Sequence, residues 1–219
     1  MSNDKTPPNR KAELQLSQAI HQLKNGGEKE AVLPLLETVM AHLERMTRHD
    51  PLTGALNRNA LIDSLNAELN RSHRTGHTFS VAIIRIDGFQ EMMERYGRPV
   101  AVQILRRLTQ ETQLLLRTLD SFGRNNADEF VIVMPTTWID QSIKAINRLK
   151  QTYGAIDWTG IAEQVQISFC TGLTTNAQGD SAEAMLDRAR QALLAAQAKG
   201  RDSVSQIEPG LPDFDPEKL

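Results

Sequence analysis

The chain has 219 residues, with 25 Lys and Arg against 27 Asp and Glu and a formal net charge of −2 at pH 7. That length suits one sizeable domain with an appendage, and the balanced charge gives no sign of non-specific DNA binding or of a polybasic membrane patch. No apolar run reaches the length of a membrane span, and the N-terminal MSNDKTPPNRK lacks the apolar core of a secretory signal. A soluble cytoplasmic protein is expected, with no nucleic-acid or membrane partner. Cys170, the single cysteine, sits in an apolar run; it excludes an intrachain disulfide and reads as a buried thiol in a reducing compartment.

In chain order, residues 1–9 are polar, carry two prolines and are expected to be disordered. From Arg10 to Lys24 the residues Leu16, Ala19, Ile20 and Leu23 recur at helical spacing, and Asn25-Gly26-Gly27 breaks that helix. A second helix is predicted from Glu28 to Arg48, with Pro34 tolerated near its start. Its seam of Leu36, Val39, Met40, Leu43 and Met46 is narrow and has charged flanks. Such a seam pairs with a helix of this chain or of a protein partner, including a second copy, or else packs as a hairpin on its own domain.

The main domain, 50–207, opens at HDPLTGALNRNAL, with Asp50 as N-cap and turn former and Gly54 at a bend. Leu61, Ile62, Leu65 and Leu69 mark a helix; FSVAIIRI (79–86) is a β-branched run, hence a buried strand. A helix follows over 101–119, then the strand EFVIVMP ended by Pro135, then a helix from TTWIDQ onward capped by Thr136 or Thr137. VQISFCTGLTT (165–175) reads as a third strand, and residues 181–200 as a helix stopped by Gly200. SVSQI is a short edge strand, and 208–219 is a proline-rich acidic tail expected to be mobile. Alternating strands and helices give an α/β fold, a central sheet flanked by helices behind an N-terminal helical segment. The five histidines, His21, His42, His49, His73 and His77, have no metal-binding spacing, and His73 and His77 read as surface residues. Arg106 and Arg107 read as a solvated helix face.

The order DPLTGALNR, a strand ending in an acidic loop, Arg-x-x-Asp, Asp-Glu-Phe before an apolar strand, SFCTGLT and ALLAAQAKGRD resembles the GGDEF family of diguanylate cyclases from about Asp50 to Ile207. The resemblance implies a mixed sheet flanked by helices, similar to adenylyl cyclase catalytic domains. It also implies an active site that joins two GTP molecules into cyclic di-GMP. That chemistry needs divalent metal ions held by carboxylates, and glycines that let backbone approach the phosphates.

Several of those positions are changed. The first metal-binding aspartate falls on Arg85, in Arg85-Ile86-Asp87. An arginine binds no metal and stays charged; at about 4 Å it repels a unit cation by roughly 4 kcal/mol at an effective dielectric near 20, and a divalent ion doubles that. Arg85 is expected instead to pair with Asp128 in the metal's place. The guanine-reading positions carry Met93 and Val102, the two GGDEF glycines become Asn126 and Ala127, and the phosphate lysine becomes Gln197, with Lys199 a poor substitute. Asp128, Glu129 and Arg201 keep the family's residue types. The resemblance therefore implies relic positions Arg85, Asp128, Glu129 and Arg201, no functional catalytic residue, no resident metal, and Mg²⁺ only if cyclase activity remains.

Arg117-Thr118-Leu119-Asp120 matches the Arg-x-x-Asp inhibitory site with which family members bind cyclic di-GMP, and Arg148 falls on its further arginine. An arginine fork donates to guanine O6 and N7, and a carboxylate accepts from guanine N1–H and its amino group. The blander reading is Arg117 on a helix dipole and Asp120 capping a turn. The leading expectation is a catalytically inactive domain that acts as a cyclic di-GMP receptor through Arg117, Asp120 and Arg148. The alternatives are a scaffold that binds no nucleotide, and a residual cyclase or GTP sensor built on Asp87, Asp128 and Glu129.

Overall fold

The computed structural model describes residues 14, 16–18, 20, 21, 29–162 and 165–210. The expected disordered start, the Asn25-Gly26-Gly27 break and the tail from 211 onward lie outside the described residues. Residues 1–49 and 50–219 form two compact units. In the first, the described residues between 14 and 21 are helical. Helix α1 (Lys29–Arg48) follows, with Pro34 inside it and the Thr38 hydroxyl donating to the Pro34 carbonyl at 2.7 Å. Val32 and Val39 are buried, whereas Leu33, Met40 and Leu43 are exposed. The Met46 side chain lies outside the described part. No helix among the described residues is long and apolar enough to cross a membrane.

The second unit opens on a turn. Asp50 Oδ1 accepts from the Thr53 N–H at 2.9 Å and the Thr53 hydroxyl at 2.7 Å. It caps no helix; Asn57 does that for α2 (Arg58–Thr75), accepting from the Ala60 N–H at 3.0 Å. Strand β1 is Ser80–Ile86, and α3 runs Phe89–Leu115 with a break at Gly97, where φ is 81° and ψ 162°. The helix expected over 101–119 thus starts earlier, because the segment before Pro99 is also helical, and ends at Leu115. Next come β2 (Ser121–Arg124), β3 (Glu129–Met134), α4 (Ile139–Gly154), β4 (Phe169–Thr175), α5 (Ala182–Ala198) and β5 (Val204–Gln206). The third strand expected from 165 begins only at Phe169. The N-cap of α4 is Trp138, not Thr136 or Thr137, and no side chain caps it; the Thr137 hydroxyl donates instead to the Pro135 carbonyl at 2.8 Å.

The sheet order is β2-β3-β1-β4-β5, antiparallel except for the parallel β4–β5 pair. Period-2 alternation divides its side chains between two cores. Ile84, Phe130, Ile132, Phe169 and Leu173 pack with Ile104, Leu105, Leu108, Ile146 and Leu149 of α3 and α4. Val81, Ile83, Val131, Val133 and Cys170 pack with Leu61, Leu65, Met185, Ala189 and Leu193 of α2 and α5. At Gly172 a Cβ would stand 2.1 Å from the Ala189 carbonyl oxygen and 2.2 Å from the Leu193 nitrogen, so the missing side chain lets α5 lie directly on β4. His77, expected at the surface, is half-buried, with Nε2 2.7 Å from the buried Glu68 carboxylate.

Candidate functional site

Two clusters of polar side chains occupy opposite faces of the sheet. The first lies at the end of β1 on the α2/α5 face. Antiparallel register sets Arg85 opposite Glu129 on β3 and opposite Cys170 on β4. Arg85 Nη2 donates to Glu129 Oε2 at 2.6 Å; the Glu129 side chain is 0 % exposed and that of Arg85 30 %. The Asn125 amide donates to the other carboxylate oxygen at 2.5 Å. The expected pairing of Arg85 with Asp128 is therefore corrected to Glu129. Alternation along β3 puts Glu129 in register with β1, while Asp128 precedes the strand and touches β1 only through its carbonyl, which accepts from the Ile86 N–H at 3.1 Å.

The turn between β2 and β3 is gripped from one side chain. Arg124 Nη2 donates to the Ala127 carbonyl at 2.6 Å, Nε to the Asn126 carbonyl at 3.1 Å and Nη1 to Asp50 Oδ1 at 3.2 Å. Among the described non-glycine residues only Thr136 and Asp202 have positive φ. Asn126 and Ala127 thus adopt ordinary backbone, and their turn makes no use of the left-handed freedom that glycine or asparagine gives. Burial raises the carboxyl pKa of Asp50, but its bonds from Thr53 and the nearby Arg124 charge outweigh that and hold it below the ordinary aspartate range.

Asp87, Arg201 and Met93 also have partners within the protein. Asp87 Oδ2 accepts from the Ser168 hydroxyl at 2.7 Å and the Asp202 N–H at 2.8 Å. Arg201 pairs with Glu91 at 2.8 Å on the surface, and Met93 packs against the α3/α4 core. Among the described residues no three His, Cys, Asp or Glu side chains stand together as a metal site. A guanidinium occupies the position between the strands, and Glu129 and Asp87 are already bonded to protein donors. These residues do not fit the divalent metal ions that the family's chemistry uses.

The second cluster lies on the other face, between the C-terminal end of α3 and α4, over β3. A pocket of about 370 Å³ is lined there by Arg117, Asp120 and Arg148 together with Thr112, Leu116, Met134, Thr137, Gln141 and Lys144, among others. The chain leaves α3 at Leu116 and folds back on itself: the Asp120 N–H donates to the Arg117 carbonyl at 3.0 Å, and the Arg117 N–H to Asp120 Oδ2 at 2.9 Å. That closed loop orients the carboxylate and leaves the Arg117 guanidinium exposed. Arg148 Nη2 donates to the Leu115 carbonyl at 2.9 Å, which pins α4 to the end of α3. Burial raises the Asp120 pKa above its ordinary value, against the lowering effects of the Arg117 N–H and of the Arg117 and Arg148 charges. Gln141 and Lys144 were missed in the sequence, although their spacing of seven and four residues before Arg148 places them on the same helix face.

A central, mainly antiparallel sheet with two helices on each face gives a nucleotidyl-cyclase-like fold. Residues 47–203 match the model of the family described as diguanylate cyclase, GGDEF domain, and the chain belongs to that family. It is 30% identical over 200 residues to the diguanylate cyclase DgcP of Pseudomonas aeruginosa, covering 87% of this chain and 30% of that protein. It is 26% identical over 172 residues to the response regulator PleD of Caulobacter vibrioides, covering 77% of this chain and 38% of that one. The chain thus spans only 30% and 38% of these curated relatives' length. Among solved structures, the coiled coil and GGDEF domain of DgcB from Caulobacter crescentus in complex with c-di-GMP superposes with a TM-score of 0.75 at 18% identity, covering 89% of this chain and 98% of that one. The diguanylate cyclase SiaD of Pseudomonas aeruginosa, in complex with its activator SiaC, gives 0.71 at 25% identity, covering 92% and 78%.

Proposed function

We propose that this chain is a GGDEF-family domain that binds cyclic di-GMP through Arg117, Asp120 and Arg148 and does not synthesise it. The observation that carries this reading is a contrast between the two faces of one sheet. On one face, three side chains with the right hydrogen-bonding chemistry for a guanine edge share a pocket. On the other, the Arg85 guanidinium holds Glu129 where cyclase chemistry needs a cation.

In the pocket, Arg117 donates to guanine O6 and N7 while the ionised Asp120 accepts from N1–H and the amino group. Adenine offers neither pattern. Arg148 adds positive charge for a phosphate or for the guanine carbonyl. The DgcB structure, solved with c-di-GMP, supplies a precedent for the ligand on this fold. Occupancy is relayed only if the ligand has different affinities for two states of the molecule; the exposed Leu33, Met40 and Leu43 of α1 suit a helical partner or a second copy that would read such a change.

The test has two arms. Purified protein is incubated with GTP and Mg²⁺ or Mn²⁺ and the products are separated by chromatography; binding of cyclic di-GMP is measured by equilibrium dialysis. Binding without synthesis is the expected result. Cyclic di-GMP formed from GTP would overturn the inactive reading, and absence of binding would overturn the receptor reading.

A further inference from the structure

Resting on that reading, we infer that Trp138 is a stacking platform for the second purine ring of the ligand, extending the pocket along α4. The β3–α4 turn is poorly suited to its local job. Trp138 is the N-cap of α4, a position that favours Ser, Thr, Asp or Asn, and it makes no side-chain cap bond. Trp138 is 64 % exposed. Two residues earlier, Thr136 is held at φ 47°, a left-handed conformation that a β-branched residue rarely adopts. A turn that departs from local preference twice in three residues is expected where function, not stability, set the sequence.

The turn adjoins the pocket. Thr137 and Gln141, one residue before Trp138 and three after it, both line it. At 100° per residue the Cα atoms of Trp138, Gln141, Ala145 and Arg148 fall within an arc of about 80° on α4. At 1.5 Å per residue Trp138 is about 15 Å along the axis from Arg148. A cyclic dinucleotide carries its two bases at opposite ends. A pocket of about 370 Å³ is at the small end of ligand sites, so one base seats on Arg117 and Asp120 and the other needs a surface on the rim. Trp138 is a large, flat, exposed aromatic residue flanked in sequence by the pocket residues Thr137 and Gln141, and base–aromatic stacking needs no particular base edge.

The sequence also provides the reporter. It has two tryptophans, and the other, Trp158, is 7 % exposed in the core. Cyclic di-GMP is titrated into wild type, Trp138→Phe, Trp138→Ser and Arg117→Ala, following tryptophan emission and, separately, calorimetric affinity; GMP, which has one base, is titrated in parallel. Expected are quenching of wild-type emission that is absent in Trp138→Phe, and a roughly tenfold loss of cyclic di-GMP affinity in Trp138→Ser with GMP affinity unchanged. Trp138→Ser restores an N-cap residue, so it melts at or above the wild-type temperature, and weaker binding by a stabler protein is not a folding artefact. If Arg117→Ala abolishes binding while Trp138→Ser binds cyclic di-GMP as tightly as wild type, the platform is refuted and the receptor reading stands. If wild type binds no cyclic di-GMP, both fall.

Discussion

Removing Arg85 tests whether its guanidinium has taken over the place of a metal. Glu129 is fully buried, and its carboxylate has two partners, Arg85 at 2.6 Å and Asn125 at 2.5 Å. Unit charges whose centres are about 4 Å apart attract by roughly 4 kcal/mol at an effective dielectric of 20. The partial exposure of Arg85 lowers that, whereas stranding a buried carboxylate costs about 3–5 kcal/mol. Arg85→Met is therefore expected to destabilise the protein by roughly 3 kcal/mol, a fall of about 6–12 °C in melting temperature for a domain of this size. Adding Glu129→Gln to Arg85→Met is expected to recover most of it, giving a coupling energy of about 2 kcal/mol in a double-mutant cycle from urea melts. A loss below about 1 kcal/mol for Arg85→Met, or no coupling to Glu129, would refute the pairing as an internal replacement for the cation.

Three further outcomes are expected. Arg85→Asp sets two carboxylates against each other across β1 and β3; its melting temperature should rise in millimolar Mg²⁺ or Mn²⁺ while that of wild type does not, read by scanning fluorimetry. The raised Asp120 pKa means that this carboxyl takes up a proton at a higher pH than an ordinary aspartate. Guanine-ligand affinity should then fall on acidification at a higher pH than an ordinary aspartate would give, and Arg148→Met, which removes one lowering charge, should move the fall to higher pH still in calorimetric titrations. The stability effect runs the other way: ionised Asp120 costs folding free energy at neutral pH, and that cost fades as pH drops through its folded-state value towards the unfolded one. Finally, burial pushes the Cys170 thiol up, and its Sγ donates to the Gly200 carbonyl. Reaction with an aromatic disulfide reagent should be at least about a hundredfold slower in native protein than in urea, and equal rates would contradict its place in the core.

The parts of the fold that the sequence shows plainly are those whose signal is local. β1 and β3 are unbroken apolar runs, and α5 has its periodicity and its Gly200 stop. β2 has no such signal: Ser121-Phe122-Gly123-Arg124 becomes a strand because β3 pairs with it and Leu56 bridges to Gly123, and neither neighbour is visible from those four residues. Trp138 escapes for the opposite reason. Cap preference points to Thr136 or Thr137, and the backbone instead bends at Thr136 and starts the helix later. The partner of Arg85 depends on strand register, which a run of adjacent acids, Asp128-Glu129, does not reveal until β1 and β3 are aligned. Arg117, Asp120 and Arg148 were singled out by the resemblance to the GGDEF family and line one pocket, whereas Asn125 and Arg124, which hold Glu129 and the turn, have no motif that singles them out.

The receptor claim is tested most directly by calorimetric titration of cyclic di-GMP into wild type, Arg117→Ala and Asp120→Ala, all shown to be folded by their melting curves. Binding at micromolar or lower concentration by wild type, abolished by either substitution, is the expected result. A folded wild-type protein that gives no heat and no thermal shift with cyclic di-GMP would contradict it.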